Sequence, residues 1–262
     1  MGYKKRAKKN QRTQGWENLC GWYDGWMGQQ GSKHHQNLAI PQTMALLAPQ
    51  KGEQILDIGA GQGVLAPYVA RSKAQYTGID ISAGMLRLAR KRHGRSGRFI
   101  QADARSLQRT PGLFEAQFDG AVFLLSIQDM EPLSNVLASA CWALKPGGRV
   151  VILMTHPCFR PPRQSGWGWD PQRKLQYRRI DRYLTPLNVP RKAYPGQDSG
   201  VNISFHRPLM DYVNQLDHNG LPVRRMVEIT AGEPGTTKPG EPARQQAESE
   251  IPLFLGLLAG GP

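Results

Sequence analysis

Cysteine, acidic residues and long apolar runs are all scarce in this chain of 262 residues. The three cysteines, Cys20, Cys141 and Cys158, are odd in number and lack metal-ligand spacing. The sequence therefore supports neither a disulfide framework nor a structural zinc site, and we expect no bound metal. This cysteine usage fits a reducing compartment, most simply the cytoplasm. Because no apolar run approaches the roughly 18 residues of a membrane helix, we also expect no membrane span.

Basic residues outnumber acidic ones, 34 against 20, which gives a formal net charge of +14. This charge keeps a nucleic-acid partner open, beside the simpler interpretation of a solvated basic surface. Residues 1–15 hold six cations and no acid, so we expect a disordered basic tail there. The oligomeric state stays open between a monomer and a homodimer.

Two helical patterns follow the tail and predict an N-terminal helical cap over residues 16–50. Trp16, Cys20, Tyr23 and Trp26 recur at helical spacing. A second helix is predicted from about residue 35 to residue 47, where an Ala-Pro step ends it.

From residue 51 onward, strand and helix patterns alternate. Strands are predicted at 54–58, 75–79, 98–101, 118–125 and 149–154. Helices are predicted at 64–71, 82–93 and 132–144, with a stop and turn at 145–148. Since near-continuous apolar strands alternate with helices, the pattern predicts an α/β core over 51–262. Its doubly wound parallel sheet would be covered by helices on both faces.

The alternation breaks between residues 156 and 206, a stretch rich in Pro, Gly, Arg and aromatic residues. An insertion of about 50 residues is too long for an ordinary connection, so we expect a lid over a site. Trp22, Tyr23, Trp167 and Trp169 would either form an aromatic wall over that site or pack the caps onto the sheet. Beyond the lid, a helix is predicted at 209–219, strands at 222–229 and 251–258, and a mobile polar flap at 231–250.

The segment LDIGAGQG, residues 56–63, directly follows the first predicted strand. Ligands of open α/β sheets bind beyond the carboxyl ends of the strands, where glycines allow a sharp turn and close backbone approach. The spacing is G-x-G-x-G, with Val64 where a dinucleotide fingerprint needs Gly or Ala. No Lys-Ser or Lys-Thr follows, so it is not a Walker loop either. The loop therefore indicates a nucleoside site without a pyrophosphate.

Two further acids stand at the ends of the next two strands. Asp80 comes 23 residues after Asp57, and Asp103 another 23 residues on. A carboxylate at Asp80 can accept two hydrogen bonds from a ribose diol, and Asp103 can accept one from an adenine amino group. Each acid alone is equally typical of a helix cap or a loop. Three acids at three successive strand ends indicate one shared site.

These motifs, with FDGAVFLLSIQDM (118–130) and LKPGGRVVIL (144–153), resemble those of a known family. It is the class I S-adenosylmethionine-dependent methyltransferases, near their ubiquinone/menaquinone-biosynthesis-like, small-molecule branch. The resemblance covers most of residues 16–262. It implies a Rossmann-like seven-stranded sheet of order 3-2-1-4-5-7-6, with the last strand antiparallel, and S-adenosyl-L-methionine as the cofactor.

The resemblance also implies which residues hold each part of the cofactor. The methionine part would be held by Asp57, Gly59, Ala60 and Gly61, and the ribose by Asp80. The adenine would be held by Ile81, Asp103 and Ala104, and the sulfonium end would lie against Leu124. The implied reaction is in-line displacement, in which an O, N or C nucleophile of a small molecule attacks the sulfonium methyl. Positioning alone can supply several kcal/mol of catalysis.

A neutral nucleophile must also lose a proton, so a general base is useful. The base candidates are Asp129, His34, His35, His156 and His206. We rank His156 first, because it follows the fifth strand at the mouth of the sheet. Asp129 is second, because it follows the fourth strand. Each histidine has a packing or surface role as its alternative.

Two other functions stay open at this point. An RNA- or ribosome-directed methyltransferase would use the basic tail, although the sequence shows no separate RNA-binding module and no Asn-Pro-Pro-Tyr motif. A catalytically inactive cofactor-binding protein would keep the glycine loop and Asp80 unchanged. The aromatic insertion favours a small-molecule acceptor, because a lid can enclose a compact substrate and exclude water.

Overall fold

The computed structural model describes residues 14–28, 31–192, 201–232 and 242–261. In these ranges the strands are β1 (Gln54–Ile58), β2 (Gln75–Asp80), β3 (Arg98–Gln101), β4 (Phe118–Leu124), β5 (Leu144–Thr155), β6 (Ser165–Asp170), β7 (Leu175–Ile180), β8 (Leu187–Lys192), β9 (Val201–His206), β10 (Val223–Ile229) and β11 (Phe254–Gly260). The α-helices are α1 (Gln14–Met27), α2 (Ile40–Leu47), α3 (Ala66–Arg71), α4 (Ala83–His93), α5 (Leu133–Ala143), α6 (Leu209–His218) and α7 (Ala243–Glu250). None of these helices is long and apolar enough to cross a membrane.

Seven strands form one sheet in the order β3-β2-β1-β4-β5-β11-β10. Strands β1 to β5 pair in parallel, and β11 is antiparallel to both of its neighbours. The predicted fold class and strand order are therefore confirmed. The parallel strands run in one direction because each crosses over through a helix, which brings their carboxyl ends to one edge.

Helices cover both faces of the sheet. Side chains of α5 and α6 pack with the strands in one buried cluster, which includes Val136, Leu137 and Tyr212. Side chains of α2, α3 and α4 pack in a second cluster on the other face, which includes Leu47 and Val69. Burial on both faces explains why the central strands are continuously apolar in sequence.

The N-terminal region has the helices that the sequence predicts. Helix α1 covers the Trp16 to Trp26 pattern, and its first residues are the last two of the predicted tail. The remainder of the tail lies outside the described residues. The second predicted helix begins with a π-helical turn, His35–Ala39, that leads directly into α2.

Two predicted boundaries are wrong. The stop and turn expected at 145–148 is part of β5, whose pairing with β4 jumps from Phe118–Leu144 to Gly120–Arg149. Gly147 takes a φ of +75° in this irregularity, a conformation that glycine adopts at little cost. The second error is in the expected flap 231–250, because its residues 243–250 form α7, which packs against β7. The sequence shows no apolar helical pattern here, because only Ala247 and Ser249 of this helix are buried. Residues 233–241 of the expected flap lie outside the described residues.

The segment that the sequence predicts as a lid consists of two β-hairpins. The first hairpin pairs β6 with β7, and the second pairs β8 with β9. Arg163 donates a hydrogen bond of 2.9 Å to Pro190 O and so links the two hairpins. Tyr183 lies between them, where its hydroxyl accepts from the Leu209 amide at 2.8 Å and its carbonyl bonds to His206 Nε2 at 2.7 Å.

Candidate active site

A cavity of about 290 Å³ lies at the carboxyl ends of the central strands, where the sequence predicts the site. Its lining combines strand ends with residues of α1, of the π-helical turn and of the β8–β9 hairpin. It includes all the residues predicted to hold a cofactor, namely Asp57, Gly59, Ala60, Gly61, Asp80, Ile81, Asp103, Ala104 and Leu124. The fold brings these residues together, while their individual roles stay predictions.

The glycine loop turns back on the sheet directly after β1. The amides of Gly59 and Ala60 both donate to Ile79 O of β2, at 2.9 and 2.8 Å. Gly59 has a φ of +77°, and a Cβ there would stand 2.6 Å from Ser126 Cβ. Ser126 in turn donates from its hydroxyl to Ile58 O at 2.6 Å. The turn is therefore closely packed from behind, and glycine is required at position 59.

Asp57 lies buried at the end of β1. Its Oδ2 accepts a hydrogen bond of 2.7 Å from the Tyr76 hydroxyl, whereas its Oδ1 has no hydrogen-bond partner among the described residues. Burial raises the pKa of the Asp57 carboxyl to about 7, and the nearby Asp80 carboxylate adds to the rise. A buried acceptor without a donor is costly. The unpartnered Oδ1 of Asp57 could accept a hydrogen bond from an ammonium group such as the one that S-adenosylmethionine carries.

Asp80 ties the glycine loop to the end of β2. Its Oδ2 accepts from the Gly61 amide at 2.9 Å, and its Oδ1 accepts from the Ser82 amide at 2.8 Å. Burial raises the pKa of Asp80, while these backbone hydrogen bonds oppose the rise. Each carboxylate oxygen keeps acceptor capacity beyond its backbone partner. Asp80 can therefore accept hydrogen bonds from a ribose diol without releasing the loop.

Asp103 follows β3 and is bound to Arg105. Arg105 Nε donates to Oδ1 and Oδ2 of the carboxylate at 2.8 and 3.0 Å, and a terminal guanidinium nitrogen donates as well. Burial acts to raise the pKa of Asp103, but the guanidinium outweighs it and the pKa lies below its usual value. Asp103 is therefore a charged acceptor at neutral pH, and Arg105 is a cation in the cavity lining that the sequence analysis did not identify.

Glu17 fastens helix α1 to the N-terminus of α4. Its Oε2 accepts from the Ser82 hydroxyl at 2.7 Å and from the Gly84 amide at 2.9 Å. The hydrogen bond from the Gly84 amide is the main reason why the pKa of Glu17 is lowered. A carboxylate is favoured here because the first amides of a helix point at it without partners of their own.

Asp24 fastens the other end of α1 to the glycine loop. Asp24 Oδ1 pairs with Arg92 at 2.6 Å and accepts from Gln62 Nε2 at 3.1 Å. Arg92 also donates to Gln62 Oε1 at 3.0 Å, so the three side chains form a closed set. Gln62 is buried and belongs to the cavity lining. We call the contacts of Glu17 and Asp24 together the α1 clasp.

The candidates for the general base lie in different places, and only some of them belong to the described cavity lining. His156 is buried, with Nδ1 accepting from the Cys158 amide at 3.2 Å and Nε2 bonded to Glu228 Oε1 at 2.9 Å. Both ring nitrogens are thus engaged, and His156 is absent from the described cavity lining. Asp129 ends a 3₁₀ turn after β4 and belongs to that lining. The fold therefore brings Asp129 to the predicted cofactor residues, and it does not bring His156.

The other histidines also differ in position. His35 belongs to the cavity lining, and its Nδ1 lies 2.9 Å from Ser32 Oγ. Burial, and then the neighbouring His34, lower the pKa of His35 to about 4, so its ring is neutral at neutral pH. His35 opens the π-helical turn, a kind of element that often occurs at functional sites. Neither His34 nor His206 belongs to the described lining.

The β8–β9 hairpin supplies lid residues that the sequence did not single out. Asn188, Asn202 and Phe205 line the cavity, and Asn202 Nδ2 is buried without a partner among the described residues. Trp167 and Trp169, which the sequence analysis considered for the wall, belong to the other hairpin and are absent from the described lining. The side chains of Trp22 and Tyr23 lie outside the described part of the chain.

Comparison with known proteins gives consistent likenesses. Residues 55–148 match the family model described as "Methyltransferase domain". Demethylmenaquinone methyltransferase of Tropheryma whipplei (strain Twist) is 35% identical over 113 residues, which are 43% of this chain and 46% of that protein. Ubiquinone biosynthesis O-methyltransferase of Idiomarina loihiensis is 25% identical over 170 residues, 62% of this chain and 69% of that protein. The chain thus spans less than half the length of the first of these relatives.

A solved structure extends the likeness beyond the matched domain. An S-adenosylmethionine dependent methyltransferase from Mesorhizobium loti is 26% identical to this chain and has a TM-score of 0.69. The alignment covers 89% of this chain and 100% of that one. Residues 55–148 thus match a methyltransferase domain, and family profile, relatives and fold together support the resemblance to the class I S-adenosylmethionine-dependent methyltransferases and S-adenosylmethionine as the cofactor.

Proposed function

We propose that this protein binds S-adenosylmethionine in the cavity and transfers its methyl group to a small aromatic acceptor. The observation that carries the proposal is the buried Oδ1 of Asp57, which has no donor among the described residues and lies in a cavity lined by the glycine loop. An α-ammonium group would satisfy that oxygen, and Asp80 keeps acceptor capacity for ribose hydroxyls. The bound cofactor would supply an electrophilic methyl group on its sulfonium.

The remaining lining supports a compact, largely apolar acceptor. Trp16, Leu125, Met130, Ile203 and Phe205 all line the cavity, and apolar walls with few polar groups are typical of small-molecule sites. The two relatives above are named for demethylmenaquinone and for ubiquinone biosynthesis, and both names denote quinones. We infer an acceptor of related chemistry, an aromatic ring with a hydroxyl group or a nucleophilic ring carbon.

The protein's own contribution would be positioning and proton removal. Walls from the sheet, from α1 and from the β8–β9 hairpin would hold the acceptor in line with the methyl group and exclude water. Asp129, at the end of the 3₁₀ turn after β4, is the carboxylate we assign as the general base. Because His156 has both ring nitrogens engaged away from the cavity, we assign it a structural role.

The two base candidates are separated by a pair of variants. We expect Asp129→Asn to lower kcat at least about tenfold, because a missing general base typically costs that much or more. His156→Gln should leave kcat within about twofold but lower the unfolding midpoint, since a buried hydrogen-bonded ring is lost. Initial rates and thermal unfolding measure the two effects. The reverse pattern, with kcat lost only in His156→Gln, would return the base to His156.

Cofactor affinity is expected to depend on pH through Asp57. Its pKa is about 7 in the free protein, so the carboxyl becomes neutral as the pH falls below that value. An ammonium ligand favours the ionised form, so binding releases a proton at low pH. We expect S-adenosylhomocysteine affinity to fall roughly tenfold per pH unit below the pKa and to level off above it. Calorimetry in buffers of different ionisation enthalpy counts the protons released.

Asp57→Asn serves as the matched control for this titration, because it keeps the shape of the side chain and an acceptor for Tyr76. The variant should bind weakly at every pH and show no proton release. A native protein whose affinity stays constant through this range would contradict the assignment of Asp57 to the ammonium group.

The proposed function is tested in two steps on the full chain. The first is calorimetric titration with S-adenosylmethionine and S-adenosylhomocysteine, with NAD as the control that should not bind. The second offers S-adenosylmethionine together with hydroquinones and catechols, or with total RNA, and detects methylated products by mass spectrometry. Failure to bind either adenosyl ligand would overturn the proposal. If only RNA is methylated, the acceptor is RNA and not a small aromatic molecule.

A further inference from the structure

The first lid hairpin, β6–β7, presents large apolar side chains to solvent. Trp169 is 50% exposed, Leu175 46% and Tyr177 41%, and Leu184 just beyond the hairpin is 65% exposed. All four are absent from the described cavity lining, so the methyl-transfer site does not account for them. A group of exposed apolar side chains on one element is typical of an interaction surface.

The pairing of the hairpin turns part of this group outward. Gly168 pairs with Tyr177 and Asp170 pairs with Leu175, so small or polar residues of β6 stand opposite large residues of β7. The Tyr177 ring lies so close to Gly168 that a Cβ there would collide with it. Strand β6 therefore contributes no large side chain that could cover Leu175 and Tyr177 on this face.

The opposite face of the hairpin is fixed by stacking. The Trp167 ring lies beneath the guanidinium groups of Arg160 and Arg178, at 5.1 and 5.3 Å from the ring centroid. Arg178 also donates to Phe159 O at 3.0 Å. Cation–π contacts of this kind hold the hairpin against the body of the protein. Trp169 pairs with Gln176 and so stands on this same face, while Leu175 and Tyr177 stand on the other. The preformed hairpin therefore carries exposed apolar side chains on both of its faces.

Cations surround the exposed apolar side chains. Arg173 and Lys174 lie in the turn of the hairpin, and Arg182 follows β7; all three are exposed and have no acidic partner among the residues that the structure describes. The nearby acids are engaged, since Asp170 accepts backbone hydrogen bonds within the turn and Asp181 pairs with an arginine of β7. The surface is thus positively charged as well as apolar.

We propose that the β6–β7 hairpin docks the protein on an anionic phospholipid surface. Tryptophan and tyrosine are favoured at the level of lipid headgroups, and Lys and Arg are attracted by anionic headgroups. The exposed aliphatic side chains favour lipid over nucleic acid, because they gain free energy among acyl chains and do not stack on bases. This partner is additional to the methyl acceptor and does not depend on the proposed activity.

Flotation of the full chain with extruded vesicles tests the proposal. Vesicles of phosphatidylcholine are compared with vesicles that also contain about 30 mol% phosphatidylglycerol, at low and high salt. We expect partitioning into the anionic vesicles to be at least about tenfold stronger, and to weaken with salt as headgroup charges are screened.

Two hairpin variants test the apolar and the charged parts separately. The apolar variant is Trp169→Ser/Leu175→Ser/Tyr177→Ser, and the charge variant is Arg173→Gln/Lys174→Gln/Arg182→Gln. The matched apolar control removes exposed apolar side chains elsewhere and is Phe114→Ser/Met210→Ser/Met226→Ser. The matched charge control removes exposed cations elsewhere and is Lys91→Gln/Arg95→Gln/Arg109→Gln. We expect each hairpin variant to lose at least about fivefold in partitioning, and each control less than about twofold. S-adenosylhomocysteine affinity and the unfolding midpoint verify that every variant is folded.

Three outcomes would overturn the proposal. The first is a native chain that does not bind the anionic vesicles. The second is vesicle binding that persists in both hairpin variants but is lost when Lys4, Lys5, Lys8 and Lys9 are changed to Gln. That result would mean that the N-terminal segment, not the hairpin, binds the vesicles. The third is a hairpin that binds RNA or a second copy of the chain instead, shown by RNA titration or sedimentation with the same variants.

Discussion

Replacing Asp80 by alanine is expected to weaken S-adenosylhomocysteine binding by at least about a hundredfold. Two hydrogen bonds from a ribose diol to a charged acceptor contribute roughly 1.5–3 kcal/mol each, and the variant loses both. The variant also frees the Gly61 amide, which the carboxylate holds at 2.9 Å, so the loop loses part of its order. Calorimetric titration measures the change in affinity directly.

Asp119→Ala is the matched control for this variant. Asp119 accepts from the Gln54 amide at 2.8 Å and pairs with Lys145 at 2.7 Å, at the opposite edge of the sheet. Its loss should leave the affinity within about twofold, because the two sites share no partner. Equal affinities in Asp80→Ala and Asp119→Ala, with both proteins folded, would place the ribose elsewhere.

Replacing Gly59 by alanine is expected to lower the free energy of unfolding by about 2–5 kcal/mol. A left-handed backbone costs an L-residue roughly 1–2 kcal/mol, and overpacking adds roughly 1–3 kcal/mol. Gly59 meets both conditions, since its φ is +77° and an added Cβ would stand 2.6 Å from Ser126 Cβ and 2.7 Å from Met130 Cε. Adenosyl-ligand binding should be lost as well, because the displaced residues line the cavity.

Gly52→Ala isolates the backbone part of this effect. Gly52 also has a left-handed conformation, with a φ of +88°, but an added Cβ would meet no atom within 4 Å. We expect it to cost only about 1–2 kcal/mol and to leave ligand binding intact. Urea unfolding compares the two variants. Equal losses of stability would mean that Ser126 and Met130 move aside at no cost.

The parallel part of the sheet and the three acids at its strand ends could be inferred from the sequence, because they depend on local patterns. The other predicted cofactor residues came from the family resemblance, and their roles stay predictions. Continuous apolar runs predict buried parallel strands, and the turn after each strand places its acid at the same edge. Asp57, Asp80 and Asp103 were therefore predicted to share a site, and they line one cavity. A helix cap was predictable for the same reason, since Ser82 accepts from the Met85 amide at 3.2 Å.

The residues that enclose the site could not be inferred, because their contacts are remote in sequence. Glu17 reaches Gly84 across 67 positions, and Asp24 reaches Gln62 across 38. No local pattern distinguishes these acids from others on an exposed helix face. The lid was expected as a unit, but which of its hairpins faces the cavity depends on how both pack against the sheet. His156 shows the same limit, since its partner Glu228 lies 72 positions away.

The α1 clasp couples the order of the glycine loop to the position of a helix. Asp24 contacts the loop through the buried Gln62, and Glu17 contacts the start of α4. A ligand that orders the loop would therefore also stabilise α1 in its observed position, and by thermodynamic reciprocity this position of the helix would strengthen ligand binding. The same coupling acts on the demethylated product. Because its departure would require the helix and the loop to loosen together, we expect weakening of the α1 clasp to speed product release.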